Sequence, residues 1–258
     1  DVNEVTNLTI NENSFEDCGD DNTADYGTIN VEIAGGILRL LSVSNNKIRE
    51  CDGWAIRIAD LDAGTGEQIA GCTIAGNVIG QNGHRGAGIQ VDCSAMVGCQ
   101  NLMIIDNSMD LLDNDAEDRG IHVIGPPSGV EKWTISRNVM SDTGLSANPG
   151  SGIYVELNGD MTLLDINDNL IEDARGFGVS VAVGADLREF TFRGNHISDA
   201  GQSGFVLDNL GTVASAITEH VIINDNIKIT VTRLDSSRVK LSIDAPPEVA
   251  LVDEVVVA

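Results

Sequence analysis

Eight copies of one short pattern restrict this chain more than anything else in its sequence. The pattern runs apolar, any, apolar, two polar residues, Asn, any, apolar, as in Leu164-Asp165-Ile166-Asn167-Asp168-Asn169-Leu170-Ile171. The fixed residues are Asn13, Asn46, Asn77, Asn107, Asn138, Asn169, Asn195 and Asn226, spaced 33, 31, 30, 31, 31, 26 and 31 residues apart. Of the 24 flanking positions five before, three before and two after these asparagines, 23 are apolar or Cys, and the exception is Lys228. A unit of this length cannot bury its own apolar side, so it must stack on its neighbours as a solenoid. The alternation before each Asn predicts a short strand with one face inward. The Asn is expected to make the corner itself, in left-handed backbone, with its amide bonded along the stack to the identical residue of the next coil.

A second strand follows in each unit, usually introduced by Gly, as in Gly88-Ile89-Gln90-Val91, Gly120-Ile121-His122-Val123 and Gly152-Ile153-Tyr154-Val155. Its outward residues form a strip: Asn30, Arg57, Gln90, His122, Tyr154, Ser180 and Val206. Parallel strands joined by such crossovers wind right-handed. The fold expected is therefore all-β, a right-handed parallel β-helix of about seven to eight coils. Over residues 5 to about 227 the pattern resembles the pectate-lyase-like superfamily of right-handed parallel β-helices.

From Lys228 the chain alternates as ordinary strands: Ile227-Lys228-Ile229-Thr230-Val231, the turn Asp235-Ser236-Ser237, then Arg238 to Pro246 and Pro247-Glu248-Val249-Ala250-Leu251. From about Thr218 to Val252 this tail resembles the carbon-storage-regulator family, most specifically at Ala245-Pro246-Pro247-Glu248-Val249. That resemblance implies a small β-domain that dimerises through exchanged strands. The basic residues with which the family binds RNA would fall at Ser215, Ala216 and Asp253, none of which is basic. The organisation expected is a β-helix over 1–216 and a small β-domain, cap or assembly module, over 217–258. Val221 to Asn226 then serves both as the eighth unit and as the start of the module.

A net charge of −25 argues against nucleic acid or an anionic membrane surface as partner. No apolar run has the length of a membrane span. The chain begins at Asp1 with neither initiator Met nor signal-like segment, as expected of a processed chain. Asn7-Leu8-Thr9 is a glycosylation sequon, a pattern of low specificity.

Catalytic candidates are sparse. Gly19-Asp20-Asp21 and Gly83-His84-Arg85-Gly86 resemble motifs of the polygalacturonase branch. Both fall in the turn where other units carry acidic-Gly sequences, and they lie two units apart. His122 and Tyr154 are neighbours on the strip and, with Arg57, are the remaining candidates for acid–base chemistry on a polysaccharide. Tyr154 is the only aromatic of the strip. Hard oxygen ligands of the kind calcium prefers occur in Asp113, Asp115 and Glu117 and in Asp60 and Asp62, without a full calcium-loop pattern. No cofactor is required by any motif.

Cys18 and Cys51 each lie five residues after an Asn, hence one above the other at disulfide range. Cys93 and Cys99 bracket Ser94-Ala95-Met96-Val97-Gly98 and are placed to close it, while Cys72 takes an inward position as a buried thiol. Two bridges imply an oxidising compartment. The reading that follows is a non-catalytic extracellular or cell-surface structural protein, a subunit of a fibre, sheath or surface layer. It would associate with copies of itself through the C-terminal module and the open first coil. The alternatives are a lyase or hydrolase of acidic polysaccharide and a glycan-binding spike.

Overall fold

The computed structural model describes residues 4–18, 27–50, 53–60, 66–80, 88–110, 119–143 and 150–208, together with the backbone of 209, 217–223, 228–235 and 238–244. Three parallel sheets stack along one axis, and each turn of the chain gives one strand to each. The long sheet holds the strands that precede the asparagines, such as Gln68–Ala75, Gly98–Ile105 and Val130–Ser136. A narrow seven-stranded sheet holds the three-residue strands that follow them, such as Ser108–Asp110. The glycine-led sheet, also seven-stranded, runs from Gly27–Ile33 to Phe205–Asn209.

Register follows the sequence repeat residue for residue. Leu41, Cys72, Leu102, Trp133, Leu164 and Phe190 are successive partners in the long sheet, as are Val43, Ile74, Ile104, Ile135, Ile166 and Phe192. All but the half-buried Phe192 lie in the core. Ile48, Ile79, Met109, Met140 and Ile171 form the matching buried column in the narrow sheet. Burying such side chains stabilises the coil by roughly 1.5–3 kcal/mol each relative to exposure.

The asparagines join the coils. Each side-chain Nδ2 donates to the Oδ1 of the next, at 2.9–3.0 Å, from Asn13 through Asn46, Asn77, Asn107, Asn138 and Asn169 to Asn195. From Asn46 onward Nδ2 also donates back to a carbonyl of the previous coil, for example Asn107 to Ile74 at 3.0 Å. Each Oδ1 from Asn46 on accepts a second bond from the backbone N–H of the preceding Asn. Both donors and both lone pairs of an interior ladder amide are thus used, as burial demands. Asn226 lies outside the described residues.

The corner differs from the expectation in one respect. The left-handed residue is the one before each asparagine: Glu12, Asn45, Gly76, Asp106, Arg137, Asp168 and Gly194, with φ between 54° and 64°. That residue points outward and makes the bend, which leaves the Asn extended and free to bond along the axis. A second left-handed column closes the narrow sheet at Asp17, Glu50, Asp142, Asp173 and Asp199. Asp suits this conformation because its short polar side chain tolerates it, so part of the acidic content follows from turn geometry.

Alternation also breaks in the long sheet. Leu38 and Leu41 are both buried, three residues apart, while Leu40 is exposed at φ 56°. Pairing skips Leu40, Gly71 and Asn101 in three successive coils, a stacked bulge that restores the inward face.

The glycines leading the third sheet pack directly on one another. A Cβ on Gly120 would stand 2.5 Å from the carbonyl oxygen of Gly152 and 2.7 Å from Met140 Sδ. Gly152 and Gly178 meet the next glycine in the same way.

At the C-terminal end Ile217–Ile223 pairs in parallel with Leu187–Arg193 and antiparallel with Lys228–Asp235, which in turn pairs antiparallel with Arg238–Asp244. One strand is therefore the last of the parallel long sheet and the first of an antiparallel tail.

Candidate functional site

The glycine-led strands bring the strip together as the repeat predicts. Asn30, Arg57, Gln90, His122, Tyr154, Ser180 and Val206 are successive register partners. They occupy one column because side chains two apart on a strand share a face. Arg57 turns to one side: Nη1 lies 3.3 Å from Glu32 Oε1 and 3.4 Å from Asn30 Oδ1, and Nε donates to Gln90 Oε1 at 3.1 Å. It does not converge on His122 and Tyr154 in the way an acid–base site would need.

Arg119 takes that place. Its guanidinium donates to an imidazole nitrogen of His122 at 3.0 Å and stacks over the Tyr154 ring, 4.4 Å from the centroid. Trp54 lies on the other side of the imidazole, 5.9 Å between centroids, and the His122 and Tyr154 rings are 5.2 Å apart edge to face. Tyr154 is the one Phe, Tyr or Trp of the strip's column, and Trp54 joins its rings from outside that column. Trp54, the first residue of its strand, and Arg119, just before its strand, each stand three residues before a strip residue, Arg57 and His122.

Burial sets the chemistry. His122 is only 7% exposed rather than lying on a solvated face. Burial, then the neighbouring Arg119, lowers its pKa from 6.5 to about 3. The imidazole is therefore neutral and accepts the Arg119 hydrogen bond. Burial, then the Glu156 carboxylate to which it hydrogen-bonds, raises the Tyr154 pKa, so its hydroxyl stays protonated. The result is a row of neutral aromatic faces with polar edges, rimmed by Gln90, Glu32 and Glu156.

Of the metal candidates only Asp60 falls among the described residues. Asp62, Asp113, Asp115 and Glu117 lie outside the described residues, as do Gly19-Asp20-Asp21 and the His84 motif, and Asp60 ends its strand half-buried. Among the described residues no three His, Cys, Asp or Glu side chains group as metal ligands. Cys51 is likewise outside the described residues, while Cys72 is a buried free thiol on the inward column and Cys93 and Cys99, expected to be bridged, are buried free thiols as well.

A second feature lies at the first coil. An open groove of about 370 Å³ is lined by Val5, Leu8, Val31, Ile33, Ile37 and Leu38 among others. Among the described residues no helix is long and apolar enough to cross a membrane.

Residues 42–227 match the family model described as the right handed beta helix region. The chain belongs to that family. Its β-helix covers the ladder from Asn46 onward and the whole strip except Asn30. Residues 216–257 match the model of the global regulator protein family, CsrA, so the two matches overlap on the strand that joins the β-helix to the antiparallel tail. Comparison with curated proteins gave no match. Among solved structures the β-helix is similar to the crystal structure of PfbA, a surface adhesin of Streptococcus pneumoniae. The identity is 11%, the TM-score 0.30, and the alignment covers 84% of this chain and 78% of that one.

Proposed function

We propose that this β-helix is a non-catalytic extracellular protein that binds an uncharged glycan along the glycine-led sheet. The observation that carries this reading is the pair of half-buried rings Trp54 and Tyr154 on the outer face, held by the buried His122 between them and by Arg119 over Tyr154. Sugar rings present apolar C–H faces to aromatic planes and hydroxyls to polar edges, and this array offers both. Charge favours a neutral ligand over an acidic polysaccharide. Arg57 is committed to Glu32, Arg119 to the rings, and the whole chain carries −25. Catalysis is disfavoured because general acid–base work needs groups that titrate near the working pH, whereas His122 sits far below it and Tyr154 above.

A glycan array followed by titration calorimetry on the full chain tests this. Binding should weaken about tenfold or more in Trp54→Ala and in Tyr154→Ala, with the thermal midpoint little changed, as expected where aromatic anchors dominate an interface. No glycan bound at millimolar concentration, or affinity indifferent to both substitutions, would end the reading.

The first-coil groove favours a second reading, self-association into a fibre, sheath or surface layer. Val5 is 54% exposed beside it. Among the described residues the strands Glu4–Thr6 and Thr9–Asn11 pair on one side only, with Ile37–Ser44, and such an edge is a template for a further strand. On this reading the antiparallel tail of one subunit meets the first coil of the next, a heterologous contact that propagates. Native mass spectrometry should then show oligomers that Val5→Asp dissolves. A chain monomeric at every concentration removes this reading and leaves the glycan strip standing.

A further inference from the structure

Three cysteines meet inside the β-helix beneath the strip. Cys72, Cys93 and Cys99 are each no more than 1% exposed. Cys93 follows the strand Ile89–Asp92, Cys99 is the second residue of Gly98–Ile105, and the thiols of these two are hydrogen-bonded to each other. Cys72 lies near enough to both to act on them electrostatically.

The backbone around the Cys93–Cys99 pair is pinned from two directions. Cys93 N–H donates to Ile124 O at 2.9 Å on the following coil, and Val97 N–H donates to Glu67 O at 2.9 Å on the preceding one. Met96 N–H closes a turn on Cys93 O at 2.9 Å, and its side chain is fully buried beneath the loop. The carbonyl of Cys99 accepts the Trp133 indole N–H at 2.9 Å. Both backbone segments are therefore held by contacts that owe nothing to sulfur, and a bond between these two buried, mutually hydrogen-bonded thiols would close a short loop.

We propose that Cys93 and Cys99 form an intramolecular disulfide that closes loop 94–98 when the chain folds in contact with a small-molecule disulfide oxidant. One cysteine thiolate attacks the oxidant's S–S bond, expelling one of its sulfurs as thiolate. The other cysteine then attacks the mixed disulfide, and the second sulfur leaves. The protein pair loses two electrons and two protons, and the oxidant becomes two thiols. Cys72 stays reduced, since its place is an inward column position opposite Leu41 and Leu102. Burial raises the Cys93 thiol well above its ordinary pKa. Once the fold has closed, that thiol is both protonated and shielded, so the bond forms during folding and resists later exchange. The extracellular reading bears on this proposal only through the supply of oxidant. The glycan strip lies on the other face of the sheet, so either idea can fail alone.

The test refolds the full chain in a buffer of reduced and oxidised glutathione, quenches with acid, and labels free thiols with N-ethylmaleimide in denaturant. Trypsin separates Cys72 from the pair, because Arg57, Arg85 and Arg119 are the cleavage points around them. The expected result is an unlabelled 86–119 peptide lighter by two hydrogens, with Cys72 labelled. Reduction should lower Tm by about 4–8 °C, the scale for a short closed loop in a domain of this size. Cys72→Ser should keep that reductant-sensitive shift, and the double variant Cys93→Ser, Cys99→Ser should fold and lose it. Maleimide on both cysteines after oxidative refolding, or a cross-link from either one to Cys72, would overturn the proposal.

Discussion

Two columns run the length of this molecule, one residue per coil, and they obey opposite rules. The inner column repeats a single residue: Asn46, Asn77, Asn107, Asn138 and Asn169 are all buried, each amide bonded to its copies above and below. The outer column changes at every level, from Arg57 to Gln90, His122, Tyr154, Ser180 and Val206. Both are held in equally regular register, so backbone geometry is not what separates them. What differs is what the side chain faces. An inward amide must find its partners in the neighbouring coils, in the identical amides and the backbone beside them, since a buried polar group without a partner costs about 1–3 kcal/mol. An outward side chain meets unlike neighbours, and except at the buried His122 and Ser180 it also reaches the surface, so no single residue type is demanded there. Repetition marks where the fold is held together, and variation marks where something else is recognised.

The comparison predicts a large penalty on the inside. Asn107→Ala removes the acceptor used by Asn77 and the donors to Asn138 Oδ1 and Ile74 O. Several buried polar atoms are stranded at once, and chemical denaturation should register a loss of about 3–5 kcal/mol. A loss below about 1 kcal/mol would mean that water enters and satisfies those groups, and the two columns would then differ less than argued.

Next comes the glycine stack behind the strip. Gly120→Ala places a methyl group against Gly152 O and Met140 Sδ, and should lower stability by about 2–3 kcal/mol. An unchanged denaturation midpoint would show that neighbouring coils slide apart easily.

A smaller, pH-dependent effect belongs to the outer column. The His122 pKa is lowered in the folded state, so between about pH 3 and 6.5 the unfolded chain binds the extra proton. Stability from this residue is present above pH 6.5 and is lost as the pH falls toward 3, at no more than about 1.4 kcal/mol per pH unit. His122→Gln keeps an acceptor for Arg119 and should remove that component from the stability–pH curve. Parallel curves for the two proteins would refute the assignment.

The smallest effect should come from Asp106→Asn. Asp106 makes a bidentate pair with Arg137 at 2.7 and 2.8 Å, and this pair holds the aspartate's pKa below its usual range. Both side chains are about half exposed, and exposed pairs contribute little. A shift in Tm comparable to that of Asn107→Ala would contradict the division between inner and outer positions.

Most of the inner column was legible in the sequence, because apolar residues at fixed offsets from an asparagine leave few ways to stack. The left-handed corner was not. The residue before Asn varies among Glu, Asn, Gly, Asp and Arg, so its shared φ leaves no single-letter trace. The bulge at Leu40, Gly71 and Asn101 was hidden for a similar reason: period-2 reading assumes unbroken pleating, and three unlike residues share the skipped place. On the outside, the strip's membership followed from alternation alone. Its chemistry did not, since Trp54 and Arg119 lie outside the strip's column and meet its rings only when neighbouring coils are stacked. The two candidate disulfides show the same boundary. Sequence placed Cys93 beside Cys99, but only packing shows that the pair is sealed from solvent next to a third thiol.

The amide ladder has a polarity. From Asn13 to Asn195 every amide-to-amide bond of the ladder runs from Nδ2 to the Oδ1 of the later coil, so that row of bonds is one-way with unlike ends. Asn13 Oδ1 stands at the accepting end. Two first coils brought face to face would oppose acceptor to acceptor, whereas a coil entering in the chain's own sense would bring a donor. Any lengthening of this column is therefore vectorial, and mirror-like pairing of its first coils is discouraged at every scale from one amide to a filament.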